Sequence, residues 1–316
     1  MNTPSQRPRT PSVAQLRAFV AVAEHLHFRA AANAIGTSQP ALSGALAALE
    51  EALGAQLVER TTRKVIITPL GERVAAHARR ALAALNSLTE EVEAARLPFT
   101  GPLHLGVIPT VAPYLLPTVL RLVRESYPDL DLHVHEERTP SLLDGLAAGR
   151  LDVLLLALPA GGTTPTRDIP LFDEDFVLLT PPDHQLAGRT DVPRDALLDL
   201  EVLLLEEGHC LRDQALDLCR EVGAEPSGGS TRAAGLSTLV QLVAGGLGVT
   251  LLPATALEVE AGRADRLAAV RFADPAPGRR IGLATRPGSA RAAEYDRFAD
   301  SLRSVLCDLP VRIVNP

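Results

Sequence analysis

Cysteine is scarce, with three in 316 residues, at positions 210, 219 and 307. A small, odd number of thiols does not make a disulfide framework, so a stapled secreted mini-fold is excluded. Long hydrophobic runs are missing as well. No window approaches the roughly 18 uncharged apolar residues that a membrane span needs, and the richest run, Val153–Leu158, has the length of a buried strand. Residues 1–12 hold Arg7 and Arg9 among Pro, Thr and Ser without an apolar stretch, so no secretory signal is expected and the expected compartment is the cytoplasm. There is no repeat of fixed period and no low-complexity tract. No histidine spacing identifies a metal site; His133 and His135 share one face of a predicted strand, which reads as a solvated face before it reads as a ligand pair. Neither a metal nor a cofactor is expected. What remains is ordinary: 46% hydrophobic and 22% charged residues exclude a disordered, collagen-like or purely coiled-coil chain. The length suits about two domains of roughly 150 residues.

The net charge of −7 is unevenly spread: residues 1–80 carry ten Arg and Lys against five Glu, and the remainder is strongly acidic. A basic head on an acidic body suggests that the head alone meets a polyanion. Residues 1–12 read as a flexible tail. Helical periodicity follows at Val13, Leu16, Phe19, Val20 and Ala23, again at Phe28, Ala31, Ala32 and Ile35, and a third time at Leu42, Ala45, Leu46, Leu49 and Leu53. Gly36 stops the second helix, and Thr37-Ser38 with Pro40 starts the third, so the pair reads as a helix-turn-helix. Two β-prone runs within 57–68 flank a basic tip, which reads as a β-wing. From Leu70 onward, Val74, Ala78, Ala81, Leu85, Leu88, Val92 and Ala95 alternate three and four apart, the narrow stripe of a helix that pairs with a second copy.

A recognition helix presents small or polar side chains at its N-terminal end, because these enter the major groove. Ser38, Gln39, Pro40 and Ser43 are expected to face outward there, with Gln39 shaped to bond an adenine edge. Arg29, Arg60, Arg63 and Lys64 are expected on phosphates, where they set register without reading sequence. Beyond a linker at Pro98–Pro102 the pattern turns to strand–helix alternation. Strands are expected at 103–108, 130–136, 152–157, 177–180, 202–205, 250–252 and 281–285. Helices are expected at 114–125, 140–148, 211–221, 237–244 and 290–306.

Within this region lies Gly208-His209-Cys210-Leu211-Arg212-Asp213, followed by Cys219. Cys210 sits at an expected helix N-terminus, where free backbone N–H groups favour a thiolate. Nine helical residues separate the two cysteines by roughly 13 Å of rise, on opposite faces. A disulfide needs Cα atoms within about 7 Å, so the two cannot bond unless the segment rebuilds. Two inert, half-buried thiols would show the same spacing.

The runs Phe28-Arg29-Ala30-Ala31-Ala32, Thr37-Ser38-Gln39-Pro40-Ala41-Leu42-Ser43, Leu57-Val58-Glu59-Arg60 and Thr68-Pro69-Leu70-Gly71 resemble the head of LysR-type transcriptional regulators. The 208–219 segment resembles the redox-active region of the peroxide-sensing members of that family, and Gly106–Pro117, Leu171–Glu174, Gly248–Pro253 and Arg286–Ser289 agree, so the likeness runs from 13 to about 305. It implies an all-α winged helix-turn-helix head with a long linker helix, followed by a two-lobed α/β, periplasmic-binding-protein-like regulatory domain. The boundaries read as a tail 1–12, a head 13–69, a linker helix 70–97, lobe I at 98–171 and 276–316, and lobe II at 172–275 with the redox cysteines. The resemblance also implies that Cys210 is the peroxidatic cysteine and Cys219 the resolving one. Thr110 and Thr139 would hold peroxide, and His209, Asp213 and Arg286 would complete the pocket. Thr139-Pro140 reads equally as an N-cap followed by an N1 proline. The implied partners are operator DNA, hydrogen peroxide, further copies of the chain in a dimer or tetramer, and RNA polymerase, with no membrane. The chain is not expected to be an enzyme; the competing readings are a thiol peroxidase and a LysR-type regulator of a small organic effector with incidental cysteines. Cys307 matches no motif.

Overall fold

The computed structural model describes residues 10–60, 65–94, 99–224, 232–262 and 267–314. The chain divides into two compact units, the first made of the residues up to Val92 together with Ala147–Arg150, and the second of Glu93–Leu146 and Leu151 onward.

The first unit opens with α1 (Val13–His25), α2 (Phe28–Ala34) and α3 (Gln39–Leu53). Ser12, the last residue of the expected tail, caps α1 in a capping box with Gln15. Ser38 caps α3, its hydroxyl accepting from the Ala41 N–H. Phe19, Val22, Ala31, Leu42, Leu46 and Leu49 form the small core of this unit. Strands β1 (Val58–Arg60) and β2 (Val65–Ile67) form an antiparallel pair. The Glu50 carboxylate ties this pair to α3 by accepting from the N–H groups of Leu57 (2.8 Å) and Val58 (3.1 Å). The long helix α4 (Pro69–Ala94) follows, and the Thr68 hydroxyl caps its first turn at the Gly71 N–H. Of the expected pairing stripe, Ala78 is buried here, whereas Ala81 and Leu85 are exposed. Ala95 lies outside the described residues, as do Arg63 and Lys64.

The second unit carries β3 (Gly101–Val107), α5 (Ala112–Ser126), β4 (Leu130–Glu136), α6 (Thr139–Ala147), β5 (Val153–Leu158) and β6 (Arg167–Thr180). Next come β7 (Leu204–Leu205), α7 (Cys210–Glu221), β8 (Arg232–Ala233), α8 (Leu236–Ala244), β9 (Thr250–Pro253), α9 (Leu257–Ala261) and β10 (Ala268–Arg271). It closes with β11 (Gly278–Thr285), α10 (Ala292–Val305) and β12 (Arg312–Ile313). The sheet runs β10-β6-β11-β5-β3-β4, with β9 and β12 also paired to β6. Strands β3, β4 and β5 are parallel, and β11 runs antiparallel to both β5 and β6. The first half of β6 pairs with β11, while its last residues pair with β9 and β10, so one strand serves both halves of this unit.

Several expectations need correction. The strand placed at 177–180 begins at Arg167, and the boundary placed at 171/172 falls inside it. Asp173, Glu174 and Asp175 disguised it, because carboxylates argue against a strand unless cations face them. Arg280, Arg279 and Arg312 do face them, at 2.7, 2.8 and 2.7 Å. Part of the expected linker is core: Phe99 is buried against Tyr127, Tyr295 and Phe298, and β3 starts at Gly101. The strand placed at 202–205 is reduced to Leu204–Leu205, with Val202 making a single bridge to Val249.

Close packing at Gly71 generates a prediction. A Cβ there would stand 2.3 Å from the Leu57 carbonyl oxygen and 2.8 Å from Ile67 Cγ2. Gly71→Ala should therefore cost about 1–3 kcal/mol, read as a lower urea midpoint for the first unit; an unchanged midpoint contradicts this packing.

Candidate functional site

Four segments of the second unit converge. Gly208, with φ +89°, turns the chain from β7 toward α7. His209 is the residue preceding α7, and Cys210 is the first residue of the helix. Thr110 follows β3 in the turn leading to α5, and it is buried. Thr139 opens α6; because the Arg138 carbonyl already accepts from the Leu142 N–H, Thr139 stands at the first helical position rather than at the cap. Its hydroxyl is thus not used for capping. Arg279, near the start of β11, has a fully buried side chain.

Arg279 organises the floor of the site. Its Nε donates to Glu174 Oε1 (2.8 Å), one terminal nitrogen donates to Thr110 Oγ1 (2.9 Å), and the other donates to the Thr110 carbonyl (3.0 Å). Because Thr110 Oγ1 accepts from Arg279, the hydroxyl proton is free to be donated elsewhere. Burial pushes the Cys210 thiol above the ordinary cysteine value, while the Arg279 charge, the neighbouring Thr139 hydroxyl and the Leu211 N–H pull the other way. By hydrogen-bond geometry the buried Thr139 hydroxyl meets no partner.

His209 is buried, and burial followed by the nearby Arg138 charge lowers its pKa, so the ring is neutral at neutral pH. Asp213 is exposed, and its charge opposes the Cys210 thiolate rather than assisting it. Arg286 is not part of this cluster. It lies at the far end of β11, roughly 23 Å along the strand from Arg279, where it donates to the Leu146 and Leu151 carbonyls and faces Asp152 at 3.4 Å. No local signal tells the two arginines apart, because residues 281–285 are all buried and the register shifts between Ile281 and Gly282. Arg138, adjacent to Thr139, also escaped notice; it donates to Glu206 Oε2 (2.7 Å) and the Glu207 carbonyl (2.9 Å) just ahead of Cys210.

Cys219 lies on the same helix in the hydrophobic core, fully buried, with its thiol pushed up by burial. Helix α7 is continuous from Cys210 to Glu221, so the two sulfurs are separated by roughly 13 Å of rise. Cys307 is exposed and donates to the Ser304 carbonyl. In the first unit Arg29, Ser38, Gln39 and Pro40 are exposed, while Ser43 is half-buried. Arg60 ends β1. His133 stacks on His104, and His104 Nδ1 lies 3.2 Å from His135 Nε2. Among the described residues no group of three or more His, Cys, Asp or Glu is arranged to hold a metal ion.

Residues 13–72 match the family model described as bacterial regulatory helix-turn-helix protein, lysR family, and residues 98–307 match the LysR substrate binding domain. The chain belongs to the LysR family of transcriptional regulators. Within it, the chain is 67% identical over 310 residues to a probable hydrogen peroxide-inducible genes activator of Streptomyces viridosporus, covering 98% of this chain and 99% of that one. It is 42% identical over 293 residues to the DNA-binding transcriptional dual regulator OxyR of Escherichia coli K12, covering 93% and 95%. A hydrogen-peroxide-bound Cys-to-Ser mutant of Corynebacterium glutamicum OxyR is structurally similar, with a TM-score of 0.67, 45% identity and coverage of 96% and 95%.

The buried thiol makes a pH-dependent prediction. With its pKa held above the ordinary value, Cys210 is mainly protonated at neutral pH, and its alkylation by iodoacetamide should keep rising as the pH moves into the alkaline range. Thr139→Val removes a hydroxyl whose presence favours the thiolate, so it should move that rise to higher pH and slow alkylation at pH 7. Peptide mapping of the alkylated protein reads both; a Thr139→Val profile that coincides with the parent's, or rises at lower pH, contradicts the assignment.

Proposed function

We propose that this protein is a DNA-binding transcriptional regulator that senses hydrogen peroxide through Cys210 and controls oxidative-stress genes. The observation that carries the reading is the placement of Cys210 at a helix N-terminus beside Thr139 and Arg279, on the same helix as a second thiol too distant to bond. In the first step the Cys210 thiolate attacks one peroxide oxygen; the O–O bond breaks, sulfenic acid forms and hydroxide leaves, taking up a proton as water. The hydroxyls of Thr110 and Thr139 would hold the peroxide, fixing its orientation before the bond breaks. Charge developing on the departing oxygen would be met by the Arg279-polarised Thr110 hydroxyl. Neutral His209 would shield the thiol from bulk water. Asp213 would act at the rim.

In the second step the Cys219 sulfur attacks the sulfenic sulfur, a disulfide forms and a second water leaves. A bond length near 2 Å cannot span the separation along α7, so 210–219 must unwind. Because α7 packs into the core through Leu211, Ala215, Leu218 and Cys219, unwinding repacks the second unit. In this reading the second unit works as two lobes around β6 and β11, of the periplasmic-binding-protein type. The change reaches the DNA through a dimer or tetramer paired along α4, whose Leu85 is exposed in the single chain. The β1–β2 pair serves as a wing, α3 enters the major groove with Gln39 on a base edge, and Arg29 and Arg60 contact phosphates. Cytoplasmic placement and contact with RNA polymerase complete the proposal; no described helix is long and apolar enough to cross a membrane.

Non-reducing peptide mapping after peroxide treatment tests the chemistry. The parent chain should yield a 210–219 cross-linked peptide, Cys219→Ser should yield sulfenic acid at 210 without the cross-link, and Cys210→Ser should lose peroxide-dependent transcription. A Cys210→Ser protein that still responds overturns the reading and favours an organic effector. On DNA, Arg29→Ala should weaken binding uniformly across sequences and reduce the log–log salt slope by about 1, whereas Gln39→Ala should relax preference at one base pair by about 1–3 kcal/mol. Titrations at several salt concentrations distinguish the two, and an unchanged salt slope for Arg29→Ala removes it from the phosphate contacts.

A further inference from the structure

The Arg279–Glu174 ion pair has both side chains fully buried. Replacing a buried ion pair by well-packed apolar residues is commonly neutral or stabilising, so stability does not explain why one is kept beside the reactive thiol. Its geometry does. The outer edge of the Arg279 guanidinium is committed to Thr110 through both terminal nitrogens, and its inner edge is held at Nε by Glu174 Oε1. The second carboxylate oxygen, Oε2, accepts from the Thr255 hydroxyl (2.7 Å) and from the Thr255 N–H (3.2 Å). With both oxygens engaged, the carboxylate cannot rotate, and with the carboxylate fixed, the arginine stem has one resting place.

Three chain segments are joined this way. Glu174 belongs to β6, Arg279 to β11, and Thr255 to the short 3₁₀ turn Ala254–Ala256 that follows β9. Thr255 and Glu174 touch no part of the thiol; they act through Arg279 and then Thr110. We propose that Glu174 is a positioning residue for the peroxide step, locked by Thr255, so that Arg279 keeps the Thr110 hydroxyl as an acceptor toward the arginine and a donor toward bound peroxide. This rests on the reading of Cys210 as the peroxide-reactive thiol. Without the lock the arginine and the threonine hydroxyl sample other orientations, and the peroxide loses its pre-set alignment while the thiol itself remains in place.

The experiment compares two reactions of Cys210 in the full chain: oxidation by hydrogen peroxide, followed by sulfenic acid trapping, and alkylation by iodoacetamide across pH. Alkylation needs the thiolate but not an aligned peroxide. Thr255→Val keeps the N–H and the volume and deletes one hydrogen bond; it should slow peroxide oxidation about threefold, and Glu174→Gln about tenfold or more, given the sensitivity of reactions to small misplacements. Thr255→Ser should restore the parent rate, and the alkylation of Thr255→Val should fall far less than its peroxide oxidation. Should Glu174→Gln fail to fold because it leaves a buried arginine uncompensated, Thr255→Val and its serine rescue still decide. Peroxide oxidation of Thr255→Val at the parent rate overturns the proposal. So does an equal loss in both reactions, which would indicate a general structural effect. A parent chain whose Cys210 does not react with peroxide overturns the sensing reading instead, and this one with it.

Discussion

Helical rise governs the chemistry open to this chain. Cys210 and Cys219 begin and nearly end one continuous helix, and nine residues at about 1.5 Å each keep their sulfurs apart. No side-chain rotation removes that distance; only loss of the helix does. The helix is not a detachable surface element, since Leu211, Ala215, Leu218 and Cys219 all lie in the core. Joining the thiols is therefore inseparable from repacking the second unit, and a two-electron event at one sulfur acquires a reach of many residues. The sensing chemistry and the structural response are one constraint seen from two sides.

The environment of the first thiol follows the same economy. Cys210 is half-buried against the core, which favours its protonated form, and only specific neighbours can offset that. Here a cation with a fixed carboxylate partner, a hydroxyl and the opening N–H groups of α7 supply the offset. A freely charged arginine would attract any anion. Compensation by Glu174 leaves an arginine that is oriented and close to neutral as a pair.

Much of this was legible from residue order. The three head helices, their caps at Ser38 and Gly36, the long α4 and the parallel β3–β4–β5 core declare themselves by local periodicity and turn chemistry. Where reading failed, long-range pairing was at work. Asp173, Glu174 and Asp175 sit in the middle of β6 because arginines from β11 and β12 face them. Phe99 belongs to the core because three rings from α10 and the end of α5 surround it. Arg286 belongs to a local motif, whereas Arg279 reaches the site only through its long-range pairing with Glu174 and Thr110.

Residue order alone determined which groups exist and how they are spaced along each element: two thiols nine steps apart on a helix, a polar recognition-helix start, a basic head on an acidic body. Tertiary structure alone decided which of those groups meet. Thr110, Thr139, Glu174 and Arg279 come from four segments spread over 170 positions, and the fold joins Glu174 through Arg279 to Thr110. The reason is physical: local propensity reaches one or two turns along the chain, whereas a buried charge can only be satisfied by whatever the fold delivers to it.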